Sequence, residues 1–348
     1  RFFFGGENEE GVFCKNLGLP VVARSNKTGE PSLTKDVLEH YETTLPEGNG
    51  LIFVKTLRGK RKRDTGLSYM EGYERFACQL NGDDSWYVLH PSLNPTGTMT
   101  LRFSSSNPNS QNISKQEEFS LRYCFGPSPG REWYSLDYEN IELRIPAYES
   151  GEEELVELFE NPTRPPYYGS THLMNFHIVY EDIWEKELRE VGFDTVGPHV
   201  KKKYASTWYQ RCKNGDFAIQ YGAGPDTADW TFQREGSHAK LKARFAKLEK
   251  LNRKYTSFGE KYGYVETLPD KTVNSGKGYP LMLGRGNYGR ISPTEPLNYH
   301  VQGTAMWCTM KAMVRIPDFF DRLNRGEKFI GRTWPGGYPL VLQVNDEL

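Results

Sequence analysis

The sequence predicts a mixed α and β protein built from two or three lobes, and three observations carry that expectation. Its 348 residues are roughly two to three times the usual single-domain length. Some segments alternate apolar and polar residues as strands do, whereas others repeat at the helical period. The composition, with 37% hydrophobic, 26% charged and 14% aromatic residues, is too apolar and ring-rich for a disordered chain.

The elements follow in chain order. The first hundred residues are polar and turn-rich. Within them KTGEPSLTKDVLEHY offers a Ser or Thr cap before a short helix, and RGKRKR (Arg58 to Arg63) is strongly basic, so this region reads as an appendage. Between residues 131 and 160, REWYSLDYENIELRI alternates like a half-buried strand, and SGEEELVELFE (Ser150 to Glu160) starts a helix with acids near its positive end. From His172 to about Gly222 the pattern is helical, with breaks expected at Gly192 and at Gly197-Pro198, which predicts an α-rich lobe. Ala239 to Lys261 reads as one basic amphipathic helix and Lys271 to Arg290 as irregular chain. Thr304 to Val314 is expected to be helical, and PLVLQVNDEL to be a buried strand ending in two acids. No internal repeat of fixed period is present.

Several classes drop out. No run approaches the roughly 18 apolar residues needed to cross a bilayer, so membrane spans are not expected. The opening RFFFGGENEE lacks the features of a secretory signal and reads as a cut end. Five scattered cysteines (Cys14, Cys78, Cys124, Cys212, Cys308) form no CxxC pair, which argues against a disulfide framework or structural zinc and for a reducing compartment, the cytoplasm or an organelle. With 44 basic and 45 acidic residues the formal charge is -1, so any nucleic-acid partner must be argued from local clusters.

Two clusters carry chemistry. Asp346 and Glu347 end an apolar strand, where desolvation is costly unless a cation or hydrogen bonds compensate. Either that strand has reached solvent at a turn, or the acids hold a metal. Asp137 also follows an apolar residue, Leu136, on an expected strand. Two such strands side by side would bring Asp137 and Asp346 together as hard oxygen ligands of the kind Mg²⁺ prefers, suited to in-line phosphoryl chemistry. In YQRCKNGDFAIQYG, Lys213, Phe217 and Tyr221 are spaced four apart and share one helical stripe. That stripe is either a core face with a snorkelling lysine or a nucleotide-binding face that offers a cation for phosphate beside rings for a base. Gly215 and Asp216 are poor helix formers, tolerated more readily where a ligand approaches the backbone.

At these residues the chain resembles the family A DNA polymerases, the DNA polymerase I type, in order from about Leu17 to Leu348. LDYENIELR (Leu136 to Arg144) is similar to the family's motif A, KNGDFAIQYG (Lys213 to Gly222) to motif B, and QVNDEL (Gln343 to Leu348) to motif C. RFSSSNPNSQNI (Arg102 to Ile113), YGYVETL (Tyr262 to Leu268) and HVQGTA (His300 to Ala305) add supporting matches. The resemblance implies an α+β right-hand polymerase fold with an antiparallel-sheet palm, α-helical fingers and a partial thumb. Residues 1–100 would form the partial thumb and its connection, 101–165 the first part of the palm, 166–290 the fingers and 291–348 the second part of the palm.

It implies also that Asp137, the Tyr138 carbonyl and Asp346 hold two Mg²⁺ ions, with Mn²⁺ as a substitute, and that Glu347 sits beside them. Lys213 would pair with the incoming triphosphate and assist the leaving pyrophosphate. Phe217 would pack on the nucleotide and Tyr221 near the template, and Glu142 would be a steric gate that hydrogen bonds to Tyr221 and favours deoxynucleotides. Phe217, lacking a phenolic OH, implies discrimination against dideoxynucleotides. His172 matches a histidine that reaches the phosphates. Arg102, Asn109, Gln111, Asn112, Gln302 and Asn345 match positions that touch primer and template, while Arg58 to Arg63 and the Lys240 to Lys254 stretch would grip duplex phosphates. The partners implied are primer-template DNA, dNTPs and accessory replication proteins, in bacterial or viral replication or in repair.

The chain also departs from the family pattern. Tyr209 stands where an arginine is expected four residues before Lys213, and Arg211 lies about 200° around the helix from Lys213. Either triphosphate binding is weaker, or Lys202 or Lys203 is recruited from another geometry. Asn345 stands where motif C usually has histidine, and the sequence given stops just after motif C. Template-directed DNA synthesis is the expected activity. Its rivals are a catalytically impaired DNA-binding replication scaffold, a reverse transcriptase, and a single-subunit RNA polymerase, against which Glu142 argues.

Overall fold

The computed structural model describes residues 16–24, 29, 31–80, 83–95, 97–113, 121–127, 136–220, 224–271, 276–286 and 289–327. It divides into two compact units, residues 1–91 with 112–132 and residues 92–111 with 133–348.

In the first unit, α1 (Lys35–Thr44) packs against α2 (Asn49–Phe76). Val37, Leu38 and Tyr41 fall on one face of α1 and, with Leu19 and Val54, form a small core. Thr34 does precede α1, but its hydroxyl makes no capping bond. The basic run lies in the middle of α2, a helix that buries only Gly50, Val54 and Tyr73 among its residues. Two short strands, β1 (Cys78–Leu80) and β2 (Asp83–Val88), pair antiparallel.

The second unit opens with an antiparallel pair, β3 (Ser92–Asn94) and β4 (Ser104–Ser106). Helices α3 (Ile141–Ser150), α4 (Glu153–Glu160), α5 (Thr171–Val179), α6 (Glu181–Val191), α7 (Val196–Lys203), α8 (Trp208–Gln220), α9 (Pro225–Phe232), α10 (Ser237–Arg244) and α11 (Ala246–Tyr262) follow. A third antiparallel pair, β5 (Tyr264–Glu266) with β6 (Pro280–Met282), precedes the long helix α12 (Glu295–Asn324). The described part is thus α+β, rich in helix with three separate two-stranded sheets. One continuous core runs from α3 to α12, centred on Phe176, Trp184, Val196, Phe232, Leu241 and Leu297.

Local structure revises six expectations. The strand expected over Ile141 to Ile145 is the first half of α3, because Leu143, Pro146 and Ala147 are buried at helical spacing and a short alternating run fits either period. Helix α4 starts at Glu153 rather than Ser150, after Gly151 turns the chain in the left-handed region with φ 67°. Gly197-Pro198 does not break the chain. Pro198 is the third residue of α7, where its missing N–H would have no intrahelical partner. The single helix expected over Ala239 to Lys261 is divided at Phe245, whose backbone leaves the helical region (φ -109°, ψ 57°) as its ring enters the core. Lys271 to Arg290 holds β6, and the helix around Thr304 runs far beyond the expected ends. The strand expected at Pro339 to Leu348 lies outside the described residues.

Candidate functional site

Asp137 makes a single β-bridge and is exposed, as is Tyr138. Three residues on, Asn140 takes a left-handed conformation (φ 55°, ψ 32°), which Asn tolerates better than most residues, and its carbonyl accepts from Leu143 and Arg144 to begin α3. Arg144 buttresses this turn. Its Nε donates to the Glu139 carbonyl at 2.9 Å, and its guanidinium lies 4.9 Å from the centre of the Phe159 ring on α4. Glu142, in the first turn of α3 where the helix dipole favours an acid, is ion-paired with Arg102. Two residues expected to face DNA and sugar, 40 apart in sequence, are therefore partners. Pro146, within α3, has no N–H to give to the Glu142 carbonyl.

A second group of site residues sits where α5 packs on α8. Ser170 caps α5 by accepting from the Leu173 amide at 3.3 Å, which sets His172 in the first turn. The His172 ring meets Tyr209 edge-on at 6.0 Å, and the Lys213 ammonium lies 5.3 Å from the centre of the same Tyr209 ring. Tyr209 is only 3% exposed. The residue that replaces the expected arginine is thus a core side chain that gathers two expected phosphate contacts. Helical continuation through Gly215 also has a packing cause. A Cβ there would stand 2.3 Å from Phe232 Cζ, so the glycine admits α9 rather than a ligand. Phe217 falls on α8 with its side chain outside the described part, and Tyr221 lies outside the described residues.

Lys203 is not at liberty to replace the arginine. It donates to both oxygens of Glu187 at 2.9 and 2.7 Å, and the same fully buried carboxylate accepts from His199 Nε2 and Tyr204 Oη, each at 2.7 Å. Burial pushes Glu187 up, but donation by Lys203, Tyr204 and His199 outweighs it and holds the group at about 2. Lys202 remains exposed.

Gln302 lies half-buried on α12, two residues after His300. His300 is 1% exposed and ties α12 to two neighbours. Its Nδ1 is 2.5 Å from the Glu266 carbonyl on β5, and its Nε2 is 2.7 Å from Glu149 on α3. Tyr255 on α11 donates to the other Glu149 oxygen at 2.6 Å. Burial raises the Glu149 carboxyl, yet the bonds from His300 and Tyr255 and the Lys254 charge bring it below its ordinary value. In sequence, His300 and Glu266 stand out only as parts of the HVQGTA and YGYVETL segments, and nothing local joins them to Glu149 or Tyr255.

Of the other expected DNA contacts, Asn109 is exposed and its Oδ1 accepts from the Gln111 amide at 3.0 Å. Arg102, Asn109 and Gln111 belong to the second unit and Asn112 to the first. Asn345, Asp346 and Glu347 lie outside the described residues. Among the described residues no group of three or more His, Cys, Asp or Glu is placed to hold a metal ion. What is described of the expected metal set, an exposed aspartate followed by a main-chain carbonyl, is a hard oxygen donor set that fits Mg²⁺.

The comparisons with known proteins agree with one another. The family model for DNA polymerase family A matches residues 9–348. The chain is 27% identical over 347 residues to the thermostable DNA polymerase I of Thermus aquaticus, a match covering 97% of this chain and 36% of that protein. DNA polymerase I of Bacillus subtilis is also 27% identical, over 97% of this chain and 34% of its own length. The chain therefore spans about a third of the length of these curated relatives. Among solved structures, the POL domain of Pol1 from M. smegmatis, in complex with DNA primer-template and dNTP, superposes with a TM-score of 0.67 at 19% identity. That match covers 99% of this chain and 54% of the other, and shows a common fold. With the family model matched across nearly its whole length, the chain belongs to DNA polymerase family A.

Proposed function

We propose that the chain carries out template-directed DNA synthesis, in which a primer 3′-OH attacks the α-phosphate of a dNTP and pyrophosphate leaves. The observation that carries this reading is the turn from Asp137 to Glu142. In a chain of this family it sets an exposed carboxylate five residues ahead of a half-buried, ion-paired one. Two Mg²⁺ ions held by Asp137, the Tyr138 carbonyl and Asp346, with Glu347 beside them, would activate the attacking oxygen and neutralise the leaving group.

The chain's own residues do the rest by position and charge. Lys213 and His172, gathered on Tyr209, meet the triphosphate, and Lys213 assists the departing pyrophosphate. Phe217 and Tyr221 pack against nucleotide and template. Glu142, held by Arg102, closes the space of a 2′-hydroxyl. Asn109, Gln111, Asn112, Gln302 and Asn345 touch primer and template. In this reading residues 1–100 act as partial thumb, 101–165 and 291–348 as palm and 166–290 as fingers.

A second reading, a catalytically impaired DNA-binding replication scaffold, is favoured by one observation, the buried Tyr209 in place of a cation. Single-nucleotide primer extension with Mg²⁺ separates the two. We expect extension with dNTP and not with rNTP, and a loss of at least a hundredfold in Asp137→Ala. Retained DNA binding without extension by the unsubstituted chain would leave the scaffold reading standing.

A further inference from the structure

The end of α11 and the β5–β6 pair present an exposed aromatic surface that the proposed active site does not use. Tyr262 is 51% exposed, Met282 56% and Phe258 36%. Tyr264 is half-buried and is the cross-strand partner of Met282. Phe258 lies 4.6 Å from Tyr262 and 5.5 Å from Tyr264, centroid to centroid, so the three rings form one patch. Cations border it. The Lys261 ammonium is 4.9 Å from the centre of the Tyr262 ring, and Arg285 Nη2 comes within 3.9 Å of where a Cβ on Gly263, between the two tyrosines, would stand.

Local charge says which kind of partner fits. From residue 258 to 290 the chain has five basic and three acidic residues, although the whole is net negative, and one of the acids, Asp270, is paired with Lys311 at 2.5 Å. Aromatic side chains beside lysine and arginine, in a segment of positive excess, match what unpaired nucleic acid needs. Rings stack on bases regardless of sequence, and cations follow the phosphates. A duplex, whose bases are already stacked, would gain only the second of these.

We infer that the Phe258, Tyr262 and Tyr264 patch, with Lys261 and Arg285, binds a single-stranded segment of nucleic acid. Given the proposed polymerase activity, on which this assignment rests, that segment is unpaired template. The test uses the whole chain and two fluorescent probes, a dT12 oligonucleotide and a 12-residue abasic deoxyribose-phosphate strand. Phe258→Ala/Tyr262→Ala, both at exposed positions, should weaken dT12 binding about tenfold or more while leaving the abasic strand unaffected. Lys261→Ala/Arg285→Ala should weaken both probes and flatten their salt dependence. Unchanged dT12 binding by the aromatic double variant overturns the inference. So does loss of self-association with dT12 binding intact, which would make the patch a protein contact. Failure of the polymerase reading would show separately, as absent primer extension by the unsubstituted chain.

Discussion

Glu187 shows how far neighbouring donors can offset the cost of burying a charge. Fully excluded from solvent on α6, it keeps its negative charge because Lys203, Tyr204 and His199 fill its acceptor sites. Its bonds reach the end of α7 and the residue beyond it, which lead into α8 and hence towards Lys213. Since the folded group titrates at about 2 against an ordinary 4.5, its contribution is fully present above pH 4.5 and is lost as pH falls towards 2. Glu187→Gln should cost about 2 kcal/mol at neutral pH, since charged hydrogen bonds are replaced by weaker ones. Between pH 4.5 and 2 the variant's urea midpoint should fall less steeply than that of the parent chain. Parallel midpoints across that window would mean that the carboxylate is not ionised through these bonds.

At the scale of single elements, close approach and charge pairing decide what a helix can do. Gly215 lets α8 and α9 meet, so Gly215→Ala should destabilise by about 1–3 kcal/mol despite the better helix propensity of alanine. Phe232→Leu in the same chain should recover part of the loss, and a thermodynamic cycle measures the coupling. On α2 the basic run is less available to DNA than its sequence suggests. Arg58 is paired with Glu39 and Glu42, Lys60 with Asp64, and Arg61 donates to the Leu33 carbonyl. If Arg63 bears a duplex contact, replacing it with alanine should lower the slope of log Kobs against log[salt] by about 0.9. Arg58→Ala should instead loosen α1 from α2.

The same elements show what could be read in advance. Asp137 and Glu142 stood out because an apolar neighbour and a motif mark them within a few residues. The Arg102–Glu142 pair did not, since nothing local announces a partner 40 residues away. Helix α3 carries no such mark, because five alternating residues fit both the strand and the helix period. Tyr209 and Gly215 were legible as oddities, but their cause, packing against His172 and Phe232, belongs to tertiary structure.

For the whole molecule, the division into two units carries a thermodynamic consequence. Among the described residues, the core cluster of the first unit holds five buried hydrophobic residues, Leu19, Val37, Leu38, Tyr41 and Val54, whereas that of the second runs through helices from α3 to α12. Buried apolar area supplies most of the stability, so the first unit is the weaker and need not unfold together with the second. Calorimetry should resolve two transitions, the smaller at lower temperature. Leu38→Ala, at a position 1% exposed, should remove about 2–5 kcal/mol from the first unit and lower only that transition. Leu241→Ala, in the other core and 0% exposed, should lower only the second. A single transition displaced by both substitutions would mean that the chain unfolds as one cooperative body, with the small core drawing its stability from the large one.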